Sequence, residues 1–272
     1  MSSTVARARP FRLSLLVAVT ALALAGCAKD RAETTGSISP RLADGKPDWH
    51  QQAEALGEQY RANPNDPNIA MAYAQALRGN GQQAQAVAVL QQASIKNPRN
   101  RPLLGAYGRA LADNGQYQQA LDVLAKAHTP DNPDWRILNA QGTVLDQMGR
   151  HKEARRYYDT ALKIAPNEPA ILSNLGLSYL LTKELPQAET TLRTAAAQPG
   201  ATPKVRQNLA LVLGLEGKTA EAEKIAAGDL PPDQAQANIA ELRAMVAQQS
   251  AQPPAQQNTW QKLKARQQAS NG

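Results

Sequence analysis

The chain has 272 residues, of which 42% are hydrophobic and 4% aromatic, and its formal net charge is +7 at pH 7. This length suits one elongated domain or two compact ones, and no dense run of Lys and Arg marks a nucleic-acid-binding surface. The single cysteine excludes an internal disulfide, and with only three histidines beside it we expect neither a metal site nor a cofactor.

Residues 1–26 have the pattern of a secretory signal peptide. Three arginines precede an apolar run from Leu13 to Ala25, and the run ends in the small residues before Cys27. Its 13 residues are too few to span a bilayer, which needs about 20. We therefore predict that residues 1–26 are removed.

The ending Leu24-Ala25-Gly26-Cys27 resembles a bacterial lipobox. The resemblance implies a diacylglyceryl group on the sulfur of Cys27 and acylation of its new amino group. Two or more acyl chains anchor a protein stably, whereas one barely does. The next residue is Ala28, and alanine after the lipidated cysteine resembles the pattern of lipoproteins that are sorted to the outer membrane. We therefore expect the protein to be anchored in the outer membrane by its acyl chains and to face the periplasm. An ordinary signal peptide followed by a chance cysteine is the alternative.

Two short segments separate Cys27 from the main part of the chain. Residues 27–48 contain Gly and Pro and little that could be buried, which is typical of a flexible tether. Residues 49–66 contain a helical pattern that ends at Pro64, with Leu56 at a core position. We interpret this second segment as an N-terminal capping helix.

A 34-residue period organises residues 67–230 into five repeats. Every repeat has Gly or Ala at position 8 and Ala at position 20, where two helices can cross closely. Leu or Tyr at position 11, and a large residue at position 24 of the first four repeats, fill the space beside that crossing. Position 15 is Gly in four repeats, which favours a left-handed residue at the end of the first helix. The repeats begin at Pro67, Arg101, Trp135, Pro169 and Pro203.

This packing pattern resembles that of the tetratricopeptide family. The resemblance implies an all-α superhelical solenoid of helix pairs, closed at each end by a capping helix. The fifth repeat departs from the pattern at Ala226 and Asp229, and Pro231 and Pro232 break its second helix.

The C-terminal part of the chain divides into two segments. Residues 231–249 carry apolar residues on one helical face and are predicted to form a C-terminal capping helix. Residues 250–272 are rich in Gln, Pro, Ser and Asn and are predicted to be disordered. Within that tail, Trp260 and Leu263 are either a short docking motif or leftover hydrophobic residues.

In the tetratricopeptide family, positions 2, 5, 9, 12 and 13 face a groove that binds partner proteins. Repeats 1–3 place mostly polar residues at these positions, and repeats 4 and 5 place leucines there, as an apolar patch would. The alternative is that the C-terminal helix covers these leucines. The candidate groove residues are Gln75, Arg78, Arg109, Asn139, Thr143, Asp146, Leu177, Leu180, Leu181, Leu211 and Leu215.

Two other site types are not expected. Some tetratricopeptide domains clamp a C-terminal carboxylate, but half of that clamp is absent because repeats 4 and 5 have leucine at position 9. Asn174 and Asn208, at position 6, are ordinary for the family and are assigned no function. His50, His128 and His151 belong to no recognisable nucleophile or metal motif, so catalysis is not predicted.

The lipobox, the tether, the five repeats and the run from Asp229 to Gln234 together resemble the TadD family of the tight-adherence (Flp) pilus machinery. The resemblance implies an outer-membrane lipoprotein that binds other proteins of the pilus and secretin apparatus, with a pilotin-like role for the secretin. A periplasmic lipoprotein adaptor for cell-wall enzymes is one alternative, and an enzyme with an unrecognised site is another. The sequence does not decide the oligomeric state.

Overall fold

The computed structural model describes residues 48–228 together with Ala240 and Ala244. In this part of the chain all regular structure is helical, and the predicted all-α solenoid of helix pairs is confirmed. The helices are α1 (Trp49–Ala62), α2 (Pro67–Gly79), α3 (Gln83–Lys96), α4 (Arg101–Asp113), α5 (Tyr117–Leu124), α6 (Trp135–Gln147), α7 (His151–Ile164), α8 (Pro169–Leu181), α9 (Leu185–Ala196), α10 (Pro203–Leu215) and α11 (Thr219–Ala227).

Several predictions fall outside the described residues. These are the signal peptide, the lipidated Cys27, the tether up to residue 47, almost all of the predicted C-terminal helix, and the tail that contains Trp260. They stay predictions.

The first helix of each pair begins at a position fixed by local sequence. Helices α2, α4, α6, α8 and α10 start 34 residues apart, each with a capping residue just before it. The side chains of Asp66, Asn100, Asp134 and Glu168 accept hydrogen bonds from backbone N–H groups of the first turn. Proline in the first turn of most of these helices costs no hydrogen bond, because the N–H it lacks would be unpaired there.

The turn between the two helices of a pair repeats almost unchanged. Position 15 has a left-handed backbone in all five repeats, with φ between 66° and 80°. The next residue then donates its N–H to the carbonyl five residues earlier, as Gln82 does to Leu77 at 2.8 Å. In repeat 4, Lys183 adopts this conformation at φ 66° without the freedom of a glycine. The expected left-handed residue is therefore present whether or not it is Gly.

Close packing inside each pair explains the small residues. The alanines at position 20 are all fully buried. The glycines at position 8 lie against the large residue at position 24 of the same repeat, so that a methyl group has no room. A Cβ would lie 2.5 Å from Leu124 Cγ if built on Gly108, 2.5 Å from Tyr158 Cε1 on Gly142, and 2.6 Å from Leu192 Cγ on Gly176.

Repeat 2 departs from the regular pattern in its second helix. Helix α5 has 8 residues, whereas α3 and α7 have 14. The chain turns from residue 125 onward, and the prolines at positions 130 and 133 keep residues 129 and 132 out of the helical conformation, so no helix resumes before α6. Ala127 is nevertheless buried at 4% exposure, so the small core position is kept without a helix.

Candidate functional site

The first helices of successive pairs form a continuous wall, which we call the first-helix wall. Helix α2 contacts α4, α4 contacts α6, α6 contacts α8, and α8 contacts α10. Two pockets lie on this wall. We call the one between α6, α8 and α10 the repeat 3–5 pocket, and the one that α2, α4, the 127–134 loop and the start of α6 enclose the basic pocket.

The repeat 3–5 pocket has a volume of about 260 Å³. Four of the predicted groove residues line it: Thr143, Asp146, Leu177 and Leu181. The two leucines are half-buried and share this pocket with polar side chains from the neighbouring helices. Such a mixture of apolar area and a few fixed polar groups is typical of a binding site.

A pair of hydrogen bonds between neighbouring helices fixes the polar side chains of this pocket. The amide nitrogen of Asn174 donates to Asn139 Oδ1 at 3.0 Å, and that of Asn208 donates to Ser173 Oγ at 3.0 Å. Each bond joins position 6 of one repeat to position 5 of the repeat before it. No function was predicted for Asn174 and Asn208 from the sequence. In both cases the hydrogen-bond partner is a polar residue at position 5 that lies 35 residues before the asparagine. This spacing was the sequence signal that could have predicted the two hydrogen bonds.

Below the pocket, Asp146 is the centre of a buried cluster, which we call the Asp146 cluster. The carboxylate accepts hydrogen bonds from the hydroxyls of Tyr158 at 2.9 Å and Ser178 at 2.8 Å, and His151 Nδ1 lies 2.8 Å from it. Asp146 is 5% exposed, and Ser178 is fully buried. His151 is the first residue of α7. The cluster therefore joins α6, α7 and α8.

Burial raises the pKa of two groups in this cluster, Asp146 and Tyr158. It raises the pKa of the Asp146 carboxyl, and the hydrogen bonds from His151, Ser178 and Tyr158 oppose that rise only in part. Burial, followed by the nearby charge of Asp146, raises the pKa of the Tyr158 hydroxyl well above its ordinary value. Tyr158 is therefore a hydrogen-bond donor at neutral pH, and the negative charge of Asp146 is held at a cost in free energy.

The remaining leucines of the predicted groove occupy different environments. Leu180 is 2% exposed and packs with Leu209 and Val212, so its prediction as a groove residue is wrong. This leucine, at position 12 of repeat 4, packs against the apolar side of α10 in the next repeat. Leu211 and Leu215 are half-buried against the same core cluster and do not line the repeat 3–5 pocket.

The polar groove candidates of repeats 1 and 2 also lie in different environments. Gln75 is exposed and lines neither pocket, and Arg78 forms an ion pair with Asp113 of the next repeat. Arg109 lines the basic pocket, which has a volume of about 570 Å³. Two arginines that the sequence analysis passed over, Arg101 and Arg136, line the same pocket. The predicted groove is therefore divided between two pockets of different chemistry.

The described residues contain no group of three His, Cys, Asp or Glu side chains placed to hold a metal ion. None of the described helices combines the length and the apolar character needed to cross a bilayer.

Two family models match the chain. Residues 49–127 match the model described as "Anaphase-promoting complex, cyclosome, subunit 3", and residues 147–207 match a tetratricopeptide-repeat model. No curated protein matches the sequence.

Solved structures resemble the chain at low sequence identity. The crystal structure of PilW, described as a widely conserved type IV pilus biogenesis factor, is 17% identical with a TM-score of 0.59, covering 74% of this chain and 91% of PilW. PilF of Pseudomonas aeruginosa is 18% identical with a TM-score of 0.51, covering 65% of this chain and 81% of PilF. A thermophilic tetratricopeptide-repeat protein of Thermus thermophilus is 20% identical with a TM-score of 0.57, covering 65% of this chain and 98% of that one. The helix pairs of this chain therefore have the fold of tetratricopeptide repeats, arranged as an all-α solenoid.

Proposed function

We propose that this protein is a non-catalytic scaffold that binds a protein of the pilus secretion apparatus through its first-helix wall. The repeat 3–5 pocket carries the proposal, because Leu177 and Leu181 there flank polar groups that are already fixed by hydrogen bonds. A partner segment can bury apolar side chains at such a site without the entropy loss of ordering the wall itself. The likeness in fold to PilW, a type IV pilus biogenesis factor, supports a partner from a pilus system.

The proposal also states where the protein is located and which protein it binds. The lipobox resemblance at Cys27 supports an outer-membrane lipoprotein that faces the periplasm, and the TadD resemblance supports the Flp pilus. A pilotin-like action on the secretin needs an acyl anchor, a tether and a protein-binding wall. The anchor and the tether are predicted from the sequence, and the contacts between the first helices form the wall.

Replacing Leu177 and Leu181 together by glutamine is expected to abolish capture of the partner while leaving the repeats folded. Both side chains are only half-buried, so glutamine loses apolar contact with a ligand more than contact with the core. The measurement is a pull-down from detergent-solubilised envelopes, with bound proteins identified by mass spectrometry and helicity checked by circular dichroism.

The matched control is Ile95→Gln, because Ile95 is 69% exposed on α3 and lies outside both pockets. Its capture profile should equal that of the parent. Recovery of the secretin or its companions by the parent and this control, and not by the double variant, supports the proposal. Recovery of cell-wall hydrolases instead would move the function to a periplasmic adaptor.

Replacing Cys27 by serine is expected to release a folded protein from the outer membrane. Serine offers no thiol for the diacylglyceryl group. Without acyl chains, the protein loses the methylene groups whose burial in the bilayer stabilises membrane binding. Sucrose-gradient fractionation of envelopes, probed with an antibody to the repeats, measures the change. Undiminished outer-membrane fractionation of the Cys27→Ser protein would refute the lipoprotein assignment.

A further inference from the structure

The basic pocket contains a guanidinium that the fold does not neutralise. Among the described residues, Arg109 has no hydrogen bond or ion pair, although it is partly buried. Burial, followed by the like charge of Arg78, lowers the pKa of Arg109, and the charges of Asp134 and Asp113 oppose this effect. A cation kept in such surroundings costs free energy unless something else pairs with it.

The two nearby carboxylates are already engaged elsewhere. Asp134 Oδ1 accepts the backbone N–H of Arg136 at 2.8 Å and so caps α6. Asp113 is paired with Arg78. Neither carboxylate forms an ion pair with Arg109, although Asp134 also lines the pocket. The lining therefore carries three guanidinium groups, those of Arg101, Arg109 and Arg136, and one carboxylate.

Two further arginines extend this charge along the wall. Arg136 is held over the ring of Trp135, with its guanidinium carbon 4.4 Å from the ring centroid. Arg101 is exposed at the start of α4, eight residues before Arg109. Eight residues of helix rise by about 12 Å. Apolar lining from Met71 and Ile137 adjoins these cations.

We propose that the basic pocket binds an acidic segment of the partner protein, with two carboxylate side chains three or four residues apart. This inference rests on the proposed function, since it names the chemistry of the partner. In an extended chain such a separation spans about 10–13 Å, which matches the rise between Arg101 and Arg109. A single terminal carboxylate would satisfy only one of these cations. Guanidinium groups suit carboxylates because they can donate two parallel hydrogen bonds.

The test is a titration of the full chain with fluorescein-labelled synthetic peptides, followed by fluorescence anisotropy. One peptide of about 12 residues carries two glutamates four residues apart with a leucine between them, and its partner carries glutamines instead. We expect the glutamate peptide to bind at least about tenfold more tightly, and its affinity to fall with added salt. We expect Arg109→Met to remove the difference. Arg99→Met, which removes an equal charge from an exposed site outside both pockets, should retain it.

Urea unfolding of the same variants separates a binding role from a structural one. Because Arg109 is partly buried without an ion-pair partner, Arg109→Met is expected to unfold at the same or a higher urea concentration than the parent. A lower midpoint, or equal binding of the two peptides, would overturn the proposal. Failure of the envelope pull-down alone would refute the pilus function and leave this titration as an independent test of the pocket.

Discussion

Replacing Gly142 by leucine is expected to lower the free energy of unfolding by about 3 kcal/mol or more. A Cβ at this position would already lie 2.5 Å from the ring of Tyr158, and an isobutyl group adds three more carbon atoms to that clash. The ring cannot yield, because Tyr158 is 1% exposed and its hydroxyl is held by Asp146. The two helices of repeat 3 must therefore separate.

Urea denaturation followed by circular dichroism measures this effect. Gly200→Leu is the matched control, since a Cβ at Gly200 meets only Pro169 at an ordinary distance of 3.6 Å. The control should shift the midpoint little. If Gly142→Leu unfolds at the same urea concentration as Gly200→Leu, then the close approach of α6 and α7 is not what holds the repeat together.

Replacing Asp146 by leucine is expected to cost about 3 kcal/mol of stability. The substitution leaves the hydroxyls of Ser178 and Tyr158 without their acceptor, although both side chains are buried. Removing one donor by Ser178→Ala should cost less, about 1 kcal/mol, because the carboxylate keeps two partners. Thermal unfolding of the two variants measures the ratio, and an equal loss in both would contradict a cluster centred on Asp146.

The pH dependence of stability gives a second test of how the Asp146 carboxylate affects folding. Its pKa is raised in the folded state above the ordinary value of 3.8. Ionisation of Asp146 therefore opposes folding, and its contribution to stability is largest below pH 3.8 and is lost as pH rises through the folded-state pKa. Relative to Asp146→Asn, the parent should gain stability as pH falls from neutral toward about 4. A stability difference that does not change with pH would contradict this sign.

The sequence predicted the solenoid well because its packing is local and repeated. Small residues at positions 8 and 20 and a left-handed residue at position 15 recur five times, so each repeat supports the interpretation of the others. Even Lys183, which breaks the glycine pattern, keeps the left-handed conformation, because the turn is held by its neighbours. Helix α5 is shorter than α3 and α7, a difference that the shared packing positions do not predict.

The candidate site was predicted less completely because its features occur once. Asp146 meets Tyr158 and Ser178 across 12 and 32 residues of sequence, and the other repeats have different residues at the matching positions. Leu180 was predicted to face the groove because position 12 does so in the tetratricopeptide family. In this chain it packs against the apolar face of α10 and is part of the core. The basic pocket was not predicted because its arginines come from different repeats and positions, and the irregular 127–134 loop, which has no counterpart in the 34-residue pattern, brings Arg101, Arg109 and Arg136 to one pocket.

The Asp146 cluster also bears on how this chain could have grown. A solenoid with a strict 34-residue period can gain or lose one unit by duplication or deletion without disturbing its turns. Repeats 1 and 2, joined mainly by apolar contacts, are open to such an exchange. Repeat 3 cannot be deleted in the same way. Without it, Ser178 and Asn174 of repeat 4 would lie beside repeat 2, which has no carboxylate or amide at the matching positions to accept their hydrogen bonds. Repeats 3 and 4 are therefore expected to have been inherited as an inseparable pair.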